Sequence, residues 1–197
     1  VKSLLKISSA LLLVSLSGCV GGLLGGGKPA DLYSFRSEPP QRQPDADARV
    51  VAVRQLSFPN NLRPDSIETN ANSRVAALAK ARWSQPVPEM FRLALIDQLE
   101  QSSRTRVARS DFQKPADIMS AEISQFTATF DQGLKAPPLI TIVVRAEVTS
   151  GAARDVAVRS FESRTRATDA TVTSIVAAYR AGVSNITQEI TLWYRNI

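Results

Sequence analysis

The segment 139–148, LITIVVRAEV, alternates so that Ile140, Ile142, Val144, Ala146 and Val148 share one side while Arg145 and Glu147 take the other. Successive strand side chains point to opposite faces, so this is a strand with one face in a core and one in water. Such a strand needs a cover, and two amphipathic stripes supply it. Val87, Phe91, Leu95 and Leu99 recur at every fourth residue, with Gln98 and Gln101 off the stripe. Val172, Ile175, Tyr179, Val183, Ile186, Ile190 and Trp193 recur at steps of three and four. The spacing predicts two long helices, each burying one face. Ser84 and Pro86 read as the start of the first, from about residue 86 to 102, and Thr168-Asp169 as the cap of the second.

Other strands are predicted at 31–35, 50–56, 105–108, 117–130 and 155–166. The mixed alternation of 117–130 implies a bulge, and the polar far end of 155–166 implies an edge. Residues 67–80 read as a hairpin turned at Asn70, Asn72 and Ser73, although RVAALAKAR also suits a helix. Strands, helix, strands, helix within 197 residues describe an α/β (α+β) sandwich. Its economical form is one mixed, largely antiparallel sheet with two long amphipathic helices packed on it.

Composition removes most catalytic chemistry. There is no histidine and only one cysteine, which excludes histidine-dependent triads, histidine-bearing zinc sites and CxxC redox pairs. The 18 acidic residues are scattered through loops and polar faces with no pair placed for acid–base work. No GK[ST] follows the glycine cluster and no GxGxxG joins a strand to a helix. The SxxK spacing of Ser3 and Lys6 falls inside a leader. No catalytic residue, metal ligand or bound cofactor is expected, and the chain reads as a non-enzyme.

That leader is residues 1–18: Lys2 and Lys6, an apolar run over 7–16, then small residues. The run is shorter than the roughly 20 residues of a spanning helix, and the layout is that of a secretory signal. It ends in Leu16-Ser17-Gly18-Cys19, which resembles a bacterial lipobox. The resemblance implies that Cys19 carries a diacylglycerol thioether and, after cleavage before it, an N-acyl group such as palmitate. Two or three acyl chains anchor stably at about 0.8 kcal/mol per buried methylene. Val20, where an aspartate would resemble an inner-membrane retention signal, implies the outer membrane, facing the periplasm. Residues 19–30 read as the lipidated cysteine and a glycine-rich tether, and 31–197 as the folded domain.

The charge of +6, from 24 basic and 18 acidic residues, falls to +4 once Lys2 and Lys6 leave with the signal. The nearest approach to a patch is Arg104, Arg106 and Arg109, with Arg159, Arg164 and Arg166 on another strand. Alternating arginines on a strand read as a solvated face, with attraction to anionic lipid headgroups as the sharper reading. Basic and aromatic residues are not interleaved as single-strand binders require, so nucleic acid is not expected.

Taken together, LSGC at 16–19, Asp31-Leu32-Tyr33, the run from Ala81 through Trp83 to Pro86 before a helix bearing Leu95 and Leu99, Ala116-Asp117-Ile118 leading to Glu122-Ile123-Ser124-Gln125-Phe126, and a final helix bearing Trp193 resemble the ABC-type transport auxiliary lipoprotein component family. Ser34-Phe35 after the tyrosine departs from the common form, and 67–79 matches poorly. The resemblance implies a non-catalytic accessory to an ABC permease, its ATPase and an MCE-domain protein that together move phospholipid or sterol-like lipid between membranes. It leaves open the cargo, contact of the domain with lipid, and the oligomeric state, a homo-oligomer included. The competing reading is a structural or assembly lipoprotein that binds a β-barrel or the cell wall.

Overall fold

The computed structural model describes residues 29–36, 44–58, 63–110, 113–151 and 155–197. The chain divides into two units, Val1–Ala30 and Asp31–Ile197, and the second holds the fold. Its elements are β1 (Asp31–Tyr33), β2 (Arg49–Val53), β3 (Ser66–Ala71), β4 (Arg74–Trp83), α1 (Val87–Glu100), β5 (Thr105–Val107), β6 (Asp117–Thr129), β7 (Leu139–Ser150), β8 (Val156–Arg166) and α2 (Val172–Tyr194). All eight strands join one mixed sheet, with both helices on its apolar face.

The long strand β6 organises this sheet. Along one edge it pairs antiparallel with β7 from Asp117↔Ser150 to Thr129↔Leu139, and β7 pairs with β8. Along its other edge two short parallel partners sit end to end. β2 meets its beginning at Val51↔Asp117 and β3 its far end at Thr69↔Ala128. Beyond β2 lies β5, parallel, and beyond β3 lie β4, antiparallel, and β1, parallel to β4. The antiparallel ladders carry most of the residue pairs. The expected bulge falls between Ile123 and Gln125, and among the described residues β8 pairs only with β7.

The alternation in β7 places Ile140, Ile142, Val144, Ala146 and Val148 in the core with the stripes of α1 and α2. Trp83, Phe35, Phe126 and Tyr179 meet at the centre, with Phe126 stacked on Tyr179 at 4.6 Å and Trp83 edge-on to both Phe35 and Tyr179 at 5.2 Å. Gly182 lets α2 lie close to the sheet, since an added Cβ would sit 3.0 Å from Ile142 Cδ1.

Two helix starts differ from the sequence reading. Ser84 does not cap α1: the boundary residue is Pro86, and the Val87 amide donates to the Pro64 carbonyl at 2.8 Å. A backbone carbonyl from the approach to β3 replaces the expected side chain, while Ser84 Oγ turns to Met90 Sδ at 3.6 Å. In α2 the cap is Thr171, whose Oγ1 accepts from the Ser174 amide at 3.3 Å. Asp169 instead accepts the Thr171 amide at 2.7 Å, ordering the turn that presents the cap. The Thr171 hydroxyl, which also donates to Asp169 at 2.6 Å, and then the Thr171 amide hold the Asp169 carboxyl below its ordinary range. Residues 67–80 resolve as a hairpin and not as a helix. Asn72 and Ser73, at φ of 50° and 62°, make the two-residue turn whose positive φ values match strand twist.

Candidate functional site

The expected signal, the expected lipidation site Cys19 and the expected tether as far as Lys28 lie outside the described residues. Among those described, no three metal-ligating side chains gather, and no helix is long and apolar enough to cross a membrane.

Both helices finish at the end where β6 begins. A cleft of about 460 Å³ opens between their last turns, lined by Gln98, Ser103, Arg104, Gln188, Leu192 and Arg195 among others. A neighbouring hollow of about 420 Å³ shares Arg104, Leu192 and Arg195 and adds Arg49, Tyr194 and Asn196. Among the described residues, no carboxylate lines either one. Each helix C-terminus carries about half a negative elementary charge, which arginines beside it offset. Arg104 and Arg195 are exposed and stand in none of the ion pairs among the described residues. The end as a whole offers guanidinium, amide and hydroxyl donors to an acidic or carbonyl-rich surface.

One buried cluster holds this end rigid. The Asp117 side chain is 0% exposed against 45% for Arg49, whose Nε lies 2.5 Å from Asp117 Oδ2. Arg49 Nη2 donates to Oδ1 at 2.8 Å, completing a bidentate fork. The Tyr194 hydroxyl donates to Oδ2 at 2.7 Å, and the Arg49 guanidinium lies over the Tyr194 ring at 5.6 Å. The last residue of α2 is thereby bolted to the first residues of β2 and β6. Burial, then the Asp117 carboxylate, push the Tyr194 phenol well above its ordinary value, and the Asp117 hydrogen bond raises Arg49. This cluster carried no sequence signal, because its members are 68 and 77 positions apart.

The arginines grouped in the sequence do not form one patch. Arg106 donates to the Asp45 carbonyl at 3.1 Å, and Arg109 pairs with Glu100. Arg164 pairs with Glu162 at 2.5 Å and Arg166 with Asp131 at 2.7 Å, while Arg159 lies over the Phe161 ring at 5.3 Å. β5 and β8 are on opposite edges of the sheet, so the two sets cannot converge. Trp83 is core rather than a recognition residue, 2% exposed, with Nε1 unpartnered among the described residues.

Residues 33–191 match the ABC-type transport auxiliary lipoprotein component family. The chain belongs to that family. Its fold is shared with the crystal structure of protein XCC0632 from Xanthomonas campestris, at 18% identity over 83% of this chain and 94% of that one, with a TM-score of 0.65. A second crystal structure, of an uncharacterised protein, matches at 13% identity over 85% and 99%, with a TM-score of 0.69. No curated protein matches. The match to this auxiliary lipoprotein family runs from the last residue of β1 to within three residues of the end of α2, so it takes in Gln98, Ser103, Arg104 and Gln188 of the cleft and stops short of Leu192 and Arg195.

Proposed function

We propose that the chain is a non-catalytic outer-membrane lipoprotein, anchored through acyl groups on Cys19, that serves an ABC/MCE-type system moving lipid between membranes. The observation that carries the reading is the family match over 33–191. The carboxylate-free, arginine-bearing cleft at the shared end of α1 and α2 supports it, as a surface suited to an acidic partner. In this reading the domain contributes docking and position, and the permease, ATPase and MCE-domain protein contribute transport.

Cross-linking in cells followed by co-purification tests it. Recovery of an MCE-domain protein with an ABC permease is the expected result; recovery of a β-barrel or cell-wall component in their place would replace it with the assembly reading. The Cys19→Ala variant should accumulate as unprocessed precursor or as soluble protein. A processed, membrane-bound Cys19→Ala protein would refute the anchor.

A further inference from the structure

At the end opposite the cleft, two turns leave the sheet side by side. One is the β3–β4 hairpin turn at Asn72 and Ser73; the other joins β6 to β7 and uses Gly133 at φ 97°. The Phe130 amide donates to the Asn70 carbonyl at 2.8 Å, and Asn70 is the register partner of Val75. The β6–β7 turn therefore starts beside the hairpin tip.

Each turn carries an exposed apolar side chain next to a cation. Val75 is 62% exposed and follows Arg74; Leu134 is 68% exposed and precedes Lys135. Neither Arg74 nor Lys135 is in an ion pair among the described residues. Of the acids nearby, Asp131 is held by Arg166 at 2.7 Å and Asp169 by Thr171. Apolar tips flanked by free cations match the boundary of an anionic bilayer, where side-chain carbons enter the acyl region and cations meet phosphates.

Because β6 runs from Asp117, beside the cleft, to Thr129, beside the hairpin, the apolar tips and the cleft lie at opposite ends of the sheet.

We infer that the hairpin turn and the β6–β7 turn form a second membrane contact, seating Val75 and Leu134 in an anionic phospholipid surface and turning the cleft away from it. The inference rests on lipidation of Cys19. Because a lipidated Cys19 has no free thiol, a cysteine introduced elsewhere in the mature protein is the single site for a thiol-reactive, environment-sensitive fluorophore. The full lipoprotein is reconstituted in vesicles of phosphatidylethanolamine and phosphatidylglycerol as V75C, L134C, and, at the opposite end, V156C and L192C. Emission from positions 75 and 134 should shift to the blue and be quenched by lipid-borne quenchers, while positions 156 and 192 report water. Water-like emission at 75 and 134, or quenching at 156 and 192, overturns the orientation. Labelling of the parent chain at Cys19 instead overturns the anchor on which it rests, and the two failures are told apart by that labelling control.

Discussion

The two ends of the sandwich are both exposed and both basic, yet they are built by different means. At the cleft end, one buried carboxylate, Asp117, collects Arg49 and Tyr194 and fixes three elements to one another. At the hairpin end, Val75 and Leu134 stand exposed beside two turns. The first end is tied together by that cluster, and its unpaired arginines stand beside it. The second tolerates change, because what it offers is chemical character and not a shape. A docking surface for a protein needs the former, and contact with a fluid bilayer needs only the latter.

Substitutions should therefore separate the ends. Arg49→Ala leaves the buried Asp117 carboxylate with the Tyr194 hydroxyl alone and should cost about 3 kcal/mol, read as a lower urea midpoint. A loss under about 1 kcal/mol, the value of an exposed pair, would mean that the cluster is not the bolt of this end. Tyr194→Phe removes one hydrogen bond to a charged group while keeping the ring under Arg49, and should cost about 2 kcal/mol.

Alkaline pH acts on the same end and on the core. Burial raises both Tyr179 and Tyr194 above the ordinary value of 10.0. Above that pH the unfolded chain releases phenolic protons that the folded chain retains, so the unfolded state is favoured and stability falls as pH rises. Urea midpoints across this range should show that decline, and Tyr179→Phe, which loses only a long 3.3 Å bond to the Glu68 carbonyl, should flatten it. An equally steep decline in Tyr179→Phe would contradict the assignment. The smallest effect belongs to the hairpin end. Val75→Ser with Leu134→Ser should leave the midpoint within about 0.5 kcal/mol, as surface changes away from caps and clusters do.

What the sequence made legible follows from period. The strict alternation of 139–148 and the three-four spacing of 172–193 gave β7 and α2, because burial on one face leaves a repeat that can be read locally. The bulge in β6 was visible as a break in the same repeat. Caps were less legible: Ser84 and Thr168-Asp169 have the right chemistry, but α1 starts at Pro86 with its Val87 amide on the Pro64 carbonyl of another loop, and α2 is capped by Thr171. The order of the sheet was not readable, since parallel pairs such as Val51↔Asp117 and Thr69↔Ala128 join segments with no sequence mark of their partnership. The Asp117 cluster was hidden for the same reason. Clustering of Arg104, Arg106 and Arg109 in the chain misled because alternation sets the face of a side chain and not its partner.

The central claim is that a lipid-anchored domain presents its arginine-bearing cleft to the transport machinery. A photo-cross-linking amino acid at position 195 tests it most directly, in living cells with the native anchor. Capture of an MCE-domain protein, abolished by Arg104→Glu at unchanged stability, is the predicted result. Capture of a β-barrel alone, or an MCE adduct that persists in Arg104→Glu, would contradict it.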